Sequence, residues 1–246
     1  MIDPKTADLP DTTSNDIAAL RFKFESGSPA GQLQLIPELI QAGEFGLEVL
    51  MEFLLQSKSN PATLVAFKAY QTLESANSKV VDEFLQTHFP NGIVPLNSER
   101  GIDYTPLQQL LKKQDFLSAD RMTLQKMCEL AGVDAVQRKW LYFTEVENFP
   151  IKDLQTINNL WFVYSEGKFG FGVQHEIWLG VGKNFLKFWP KIGWKNGNNW
   201  TRYPNEFTWD LSAPRGHLPL SNQLRGVRVI ASLLSHPAWS NKSPES

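Results

Sequence analysis

The chain has 246 residues, with 26 acidic and 24 basic side chains and a hydrophobic content of 42%. This balance is typical of a soluble globular protein and excludes wholesale disorder, and no stretch approaches the roughly 20 apolar residues of a membrane-spanning helix. Cys128 is the single cysteine, which rules out an internal disulfide. The acidic start lacks the features of a secretory signal or a transit peptide, so we expect a cytoplasmic protein in a reducing compartment.

The two halves of the chain differ in chemistry. All eight tryptophans lie beyond residue 139. Residues 1–100 carry 7 basic and 13 acidic groups, a net charge of −6, whereas residues 101–246 carry 17 and 13, a net charge of +4. Such a contrast within one chain indicates two domains.

The first domain is predicted to be a helical bundle. Residues 1–16 are polar and are expected to form a disordered tail. Residues 17–89 repeat apolar side chains at helical spacing in four or five short segments, one of which is expected to begin at Pro61 with Asn60 as its N-cap. Residues 90–101 combine two prolines with two glycines and are predicted to be a linker.

The second domain, residues 102–240, continues the helical pattern and is followed by a short tail, 241–246. One predicted helix ends at Gly132, and another places Leu154, Ile157 and Trp161 on one face. Because the alternation typical of strands is absent, the predicted fold class is all-α.

Motifs of the common enzyme classes do not occur in the sequence. GKFGFG at 167–172 reverses the glycine spacing of a dinucleotide-binding loop, and GVGKN at 180–184 lacks the rest of a phosphate-binding loop. The four histidines show no metal-ligand spacing, and a nucleophile-elbow pattern is missing. We therefore predict neither catalytic residues nor a metal site.

Flat apolar rings and positive charge are interleaved in residues 185–209. This stretch contains four tryptophans, three phenylalanines and one tyrosine among four lysine and arginine residues. A single tryptophan is ordinarily buried in the core. The density of aromatic residues in loops rich in glycine, proline and asparagine nevertheless favours a ligand-binding role for some of them.

The last predicted helix places arginines next to an apolar stripe. A helical wheel at 100° per residue gives a core stripe of four residues, Leu224, Val227, Ala231 and Leu234. Arg228 falls beside this stripe, Arg225 one step further out, and Asn222 continues the row. Guanidinium groups at such a boundary suit a ligand with an apolar body and an anionic edge, although ordinary snorkelling arginines give the same pattern.

Three classes of ligand match this composition. A planar apolar molecule with acidic groups fits the rings and the arginines together. Single-stranded nucleic acid also uses stacking platforms and basic grooves, but a net charge of +4 is small for a polyanion. Sugar-binding tryptophan platforms usually belong to β-rich secreted modules, which disagrees with an α-helical protein in a reducing compartment.

Six segments of the second half carry a specific pattern. They are GIDYTPLQQLLKKQDFLSAD at 101–120, CELAG at 128–132, QRKWLYFTEVENFP at 137–150, DLQTINNLWFVYSEGKFGFGVQ at 153–174, FWPKIGWKNGNNWTRYP at 188–204 and FTWDLSAPRGHLPLSNQLRGVRV at 207–229. Together they resemble the genomes-uncoupled family, whose members bind porphyrins and regulate magnesium chelatase. Residues 17–95 are similar to the N-terminal helical domain of cyanobacterial members.

The resemblance implies a fold and a function. It implies an all-helical core shaped like a cupped hand that binds protoporphyrin IX and magnesium protoporphyrin IX, with no intrinsic cofactor. The protein would stimulate magnesium chelatase in chlorophyll biosynthesis through the large porphyrin-binding subunit, as a regulator and carrier and not as an enzyme. A monomer that does not bind nucleic acid is expected, and peripheral association with a thylakoid or plasma membrane is left open.

The resemblance also implies which residues lie near the bound porphyrin. Asn222, Arg225 and Arg228 match family positions near the porphyrin, and Phe143 matches an aromatic residue of the palm. Tyr203 stands where some relatives have tryptophan, so weaker stacking is expected there. Since magnesium prefers oxygen, an axial water or carbonyl is expected and histidine is not assigned.

Two other functions compete with this interpretation. A scaffolding protein would use the tryptophan-rich half to dock a protein or a membrane surface without a small ligand, and a tetrapyrrole-processing enzyme would form product from porphyrin by itself. A porphyrin titration distinguishes both from a binding protein.

Overall fold

The computed structural model of the protein describes residues 12–58, 63–220 and 227–240. Contacts along the backbone divide the chain into two compact units, with the division between Ile93 and Val94. This division lies inside the segment expected to be a linker.

The first unit is built from five helices in the described residues: α1 (Thr12–Glu25), α2 (Pro29–Gln41), α3 (Glu44–Ser57), α4 (Leu64–Glu74) and α5 (Lys79–His88). Helix α1 begins within the segment expected to be a disordered tail, so helical structure starts earlier than the polar composition suggested. The expected helix start at Pro61, with Asn60 as N-cap, falls outside the described residues, and the described helix α4 begins at Leu64. Thr63 is the N-cap of α4, and its hydroxyl accepts the Ala66 N–H at 3.2 Å.

A glycine allows α2 and α3 to pack closely. A Cβ atom placed on Gly46 of α3 would lie 1.7 Å from the backbone oxygen of Leu39 in α2. Leu39 is fully buried, as are Leu50 and Leu54 of α3. The close approach at Gly46 therefore lies in the core of this unit.

The second unit is also helical. Its described helices are α6 (Thr105–Lys112), α7 (Phe116–Ala131), α8 (Val133–Arg138), α9 (Phe143–Val146), α10 (Ile151–Tyr164), α11 (Phe171–Gly180), α12 (Phe185–Lys191) and α13 (Val227–Leu234), followed by a 3₁₀ turn (Pro237–Trp239). A short antiparallel hairpin, β1 (Lys195–Asn196) with β2 (Asn199–Trp200), pairs Lys195 with Trp200. The predicted all-α class is confirmed, and this hairpin is a local exception.

Two helices of the second unit follow their sequence signals closely. Helix α7 ends at Gly132, whose φ of 109° lies in a region that side-chain-bearing residues rarely adopt. In α10 the predicted stripe of Leu154, Ile157 and Trp161 is fully buried. The indole N–H of Trp161 donates to the Thr123 hydroxyl at 2.9 Å, which links α10 to α7.

Residues at the end of the expected linker are hydrogen-bonded to the second unit. The buried carboxylate of Asp153 accepts the Glu99 N–H and the Tyr104 hydroxyl, both at 2.8 Å. The Thr156 hydroxyl donates to the Asn97 carbonyl at 2.7 Å. This segment is thus fixed on α10 by long-range hydrogen bonds.

Candidate ligand-binding site

The structure brings Phe143 and Arg228 together. Phe143 is half-buried at the start of α9, and the exposed Arg228 of α13 places its guanidinium carbon 5.5 Å from the centre of the Phe143 ring. Four residues after Arg228 and Phe143 in the sequence, the Ser232 hydroxyl donates to the Glu147 carboxylate at 3.3 Å. These two contacts hold α13 against α9 and set a cation over an aromatic ring, an attractive arrangement.

Glu145 organises the turn that leads into Phe143. Its carboxylate accepts the Tyr142 N–H at 2.7 Å and two hydrogen bonds from Arg138 at 2.7 and 2.8 Å. The Arg138 guanidinium lies 4.7 Å from the ring centre of Trp140 and 4.4 Å from that of Tyr142. This group was not predicted from the sequence, although a cation followed by aromatic residues two and four positions later is a pattern that indicates it.

The predicted core stripe of the last helix is confirmed only in part: Leu234 is buried, Ala231 is half-buried and Leu224 lies outside the described residues. In α13 the buried residues are Val229, Ile230, Leu233 and Leu234, whereas Val227 is 47% exposed. Arg228 and Ser232 fall 40° apart on one side of this helix, and its apolar residues cover the other side. Arg228 therefore lies on the exposed side of α13, and not at the edge of the buried face.

Tyr203 lies in the aromatic cluster of the second unit. Its half-buried ring makes edge contacts with Trp209 and Phe207, at centroid distances of 5.8 and 6.3 Å. Its hydroxyl accepts a hydrogen bond of 3.3 Å from Nε of Arg121 on α7. The structure thus places Tyr203 against α7.

Part of the tryptophan-rich stretch is core. Trp189 and Trp194 stack with their ring centres 5.7 Å apart and their planes 8° apart, and both are buried. Trp200, in contrast, is 47% exposed. Of the tryptophans expected near a ligand, Trp189 and Trp194 instead form the scaffold of the unit.

An irregular segment, Gly216–Leu220, is fixed along its whole length; we call it the strap. The Gln174 side chain donates to the carbonyls of Gly216 and Pro219 at 3.0 and 2.8 Å. The Leu218 carbonyl accepts the Gly170 N–H at 3.0 Å. The strap leads directly to Asn222 and Arg225, which lie outside the described residues.

Further contacts of the strap involve His217. Its carbonyl accepts the Trp194 indole N–H at 2.8 Å. Its Nδ1 lies 2.6 Å from the Ile192 carbonyl, which can only accept, and its Nε2 lies 3.3 Å from the Thr208 N–H, which can only donate. These partners require the neutral ring, in agreement with the burial that lowers the pKa of His217.

Within residues 12–58, 63–220 and 227–240, no three histidine, cysteine, aspartate or glutamate side chains are grouped so that they could hold a metal ion. No helix in the same ranges has the length and apolarity required to cross a bilayer.

Comparison with known proteins covers both units. Residues 97–237 match the GUN4-like family, and residues 10–90 match the ARM-like repeat domain described as GUN4-N terminal. A Ycf53-like protein of Synechocystis is 52% identical over 92% of this chain and 98% of its own length. A chloroplastic tetrapyrrole-binding protein of Arabidopsis thaliana is 39% identical over 57% of this chain and 56% of its own length.

A solved structure agrees with these matches. GUN4 from Chlamydomonas reinhardtii superposes with a TM-score of 0.56 and 43% identity, covering 59% of this chain and 95% of that one. The helical fold, the two matched domains and the cyanobacterial relative together show that the chain belongs to the GUN4 family and is of its cyanobacterial type.

Proposed function

We propose that the chain binds protoporphyrin IX and magnesium protoporphyrin IX and stimulates magnesium chelatase, as a regulator and carrier without catalysis of its own. The observation that carries this proposal is the exposed Arg228 guanidinium held over the Phe143 ring. A porphyrin is a flat apolar ring with two carboxylates at one edge. An aromatic surface next to a fixed cation matches both of its features.

The free energy of binding is expected to come from stacking on the porphyrin ring and from pairing a porphyrin carboxylate with a guanidinium. Covering a few hundred Å² of porphyrin surface at about 25 cal/mol per Å² supplies several kcal/mol before the costs of association. A guanidinium that pairs a carboxylate bidentately adds energy and sets the orientation of the ring. Arg228 is expected to take this role together with Arg225, with Asn222, Phe143 and Tyr203 against the macrocycle.

A titration tests porphyrin binding. Adding protoporphyrin IX to the full chain is expected to quench tryptophan fluorescence and to shift the Soret band, with saturation at micromolar pigment. Absence of both changes would refute the proposal and favour a scaffolding protein, and formation of a new product by the chain alone would favour an enzyme.

Replacing Arg228 by alanine is expected to weaken porphyrin binding by about 10- to 100-fold, the cost of losing a charge-assisted hydrogen bond of about 1.5–3 kcal/mol. The melting temperature should change little because Arg228 is exposed. Arg228→Lys should give an intermediate affinity, since an ammonium keeps the charge but not the bidentate geometry.

The control for Arg228 is Arg215→Ala. Arg215 is exposed in the same unit and pairs with Glu176 at 2.5 Å. Its loss should leave porphyrin affinity unchanged. Equal affinity of the wild type and Arg228→Ala would show that Arg228 is only a surface charge.

Chelatase stimulation is tested with the purified subunits of the enzyme. We expect the wild-type chain to raise the rate of magnesium insertion into protoporphyrin IX and to associate with the large porphyrin-binding subunit. Arg228→Ala should stimulate less at limiting porphyrin. A rate that does not depend on the chain, in a titration where the chain binds pigment, would restrict its function to pigment carriage.

A further inference from the structure

Arg121 of α7 carries an exposed guanidinium next to a predicted ligand position. Its Nε donates to the Tyr203 hydroxyl at 3.3 Å, a contact between residues 82 positions apart. Among the described residues, Tyr203 is the one hydrogen-bonding partner of this side chain. Because Nε makes this bond, the two terminal nitrogens of Arg121 keep the parallel N–H groups that bind a carboxylate.

The carboxylates whose charge acts on Arg121 are bonded to backbone donors. These carboxylates belong to Asp115 and Asp120. Asp115 is the N-cap of α7 and accepts the Ser118 N–H at 3.1 Å. Asp120 is buried, and its Oδ1 accepts the Leu220 N–H at 2.7 Å. Both carboxylates thus stabilise the backbone around Arg121, and in the described part of the chain neither forms an ion pair with it.

The accessible side of α7 combines this cation with apolar side chains. Leu117 and Leu124 are half-buried, and they lie four residues before and three residues after Arg121. Side chains at these spacings are neighbours on a helix surface, so apolar groups flank the guanidinium on both sides. This side of α7 therefore suits a ligand with an apolar body and an anionic edge.

The two predicted aromatic positions are both connected to α13. Tyr203 packs against the core cluster that contains Ile230 of this helix. Arg228 of the same helix lies over the Phe143 ring. The second unit thus holds two pairs of an aromatic ring and a guanidinium. A porphyrin with two carboxylates can use both pairs.

We propose that Arg121 is a second carboxylate-binding residue of the porphyrin site, which pairs with one porphyrin carboxylate while Arg228 pairs with the other. The inference rests on the proposed function, which places Tyr203 against the macrocycle. Tyr203 then stacks with its ring and holds the guanidinium with its hydroxyl. Phenylalanine and tryptophan lack an oxygen that could accept the Nε hydrogen bond, so they would supply the ring alone.

Two probes that differ in charge test the inference in the full chain: protoporphyrin IX and its dimethyl ester, which has no carboxylate. Arg121→Ala is expected to weaken binding of the acid about tenfold or more, the scale of a lost charge-assisted hydrogen bond. Its affinity for the ester should stay within about twofold of the wild type. Arg121→Lys keeps the charge without the paired geometry and should bind the acid with intermediate affinity. Because Arg121 is exposed, both variants should melt like the wild type.

Arg202→Ala is the matched control. Arg202 directly precedes Tyr203 and is exposed, but its Nε lies 3.9 Å from the Glu206 carboxylate. Its removal should leave the affinity for both probes unchanged. A loss as large as that of Arg121→Ala would show a general effect of surface charge and would overturn the inference.

Tyr203→Phe tests the hold on the guanidinium, since it keeps the ring and removes the acceptor. It is expected to weaken binding of the acid about threefold in the wild type and to have no further effect in Arg121→Ala. An equal loss in both backgrounds would contradict the assigned role of the Tyr203 hydroxyl.

The outcomes separate this inference from the proposed function. If the wild type binds protoporphyrin IX and Arg121→Ala binds it equally well, the inference is wrong and the proposed function stands. Equal losses for the acid and the ester would make the role of Arg121 structural, which also overturns the inference. If the wild type binds neither probe, the proposed function fails, and the inference fails with it.

A charge reversal supplies the measurement if the ester binds too weakly to be compared. Arg121→Glu places a like charge beside the porphyrin carboxylate, so it should weaken binding of the acid at least tenfold more than Arg121→Ala. A loss no larger than that of alanine would show that no carboxylate lies there and would overturn the inference.

Discussion

Replacing Gly46 by alanine is expected to unfold the N-terminal unit and to leave porphyrin binding intact. The added Cβ atom would lie 1.7 Å from the Leu39 oxygen and 2.5 Å from the Leu39 carbonyl carbon. Both are backbone atoms, so a side-chain rotation cannot relieve the clash, and α2 must move away from α3. Overpacking of a core typically costs 1–3 kcal/mol, and we expect more than about 3 kcal/mol here because the core around Leu39 and Leu50 would open.

The distribution of tryptophans makes this prediction measurable unit by unit. All eight lie in the C-terminal unit, so selectively excited tryptophan fluorescence reports that unit alone, whereas far-ultraviolet circular dichroism reports the helices of both. In Gly46→Ala the dichroism signal should fall while the fluorescence and the porphyrin affinity remain those of the wild type. Loss of porphyrin binding would refute our expectation that the N-terminal helices are dispensable for it.

Gly31→Ala is the matched control for Gly46→Ala. Gly31 also lies in a helix of the N-terminal unit, but the nearest atom to its added Cβ would be the Ser28 hydroxyl oxygen at 3.5 Å, an ordinary contact. Alanine stabilises a helix relative to glycine by up to about 1 kcal/mol, so this variant should be as stable as the wild type or slightly more stable. Equal destabilisation of both variants would contradict the steric explanation.

Replacing Trp194 by alanine is expected to destabilise the C-terminal unit by about 3–5 kcal/mol, the range of large-to-small substitutions of buried aromatic residues. Trp194 is fully buried and stacks on Trp189 with ring centres 5.7 Å apart. Its indole N–H also donates to the His217 carbonyl of the strap, so truncation leaves a buried acceptor unpaired. Chemical denaturation, monitored by circular dichroism, measures the loss of unfolding free energy.

Two further substitutions separate the contributions at Trp194. Trp194→Phe keeps a stacked ring and loses the indole N–H, so its cost should fall well below that of alanine. Trp200→Ala removes the same side chain from a position that is 47% exposed and should cost less than about 1 kcal/mol. If Trp194→Ala is no more destabilising than Trp200→Ala, Trp194 does not have the core role assigned to it.

Local sequence signals predicted much of the fold. The stripe of Leu154, Ile157 and Trp161 is buried as expected, and α7 ends at Gly132. Both predictions depend on residues a few positions apart, which the helical period and the glycine backbone relate directly. The same method misplaced the buried face of α13, because the predicted stripe was drawn from Leu224 and left out Val229, Ile230 and Leu233, which are buried.

The candidate site likewise combines features that the sequence predicted with features that only the structure shows. Composition and resemblance indicated Phe143 and Arg228, but their juxtaposition, the role of Glu145 in shaping the turn, and the tethering of Leu220 by Asp120 became visible only in the folded chain. Helix periods and caps act over a few residues, so the sequence by itself determined the all-α class and most helix positions. Contacts between residues about 80 to 100 positions apart depend on how the helices pack, so the tertiary structure alone decided which side chains meet at the site.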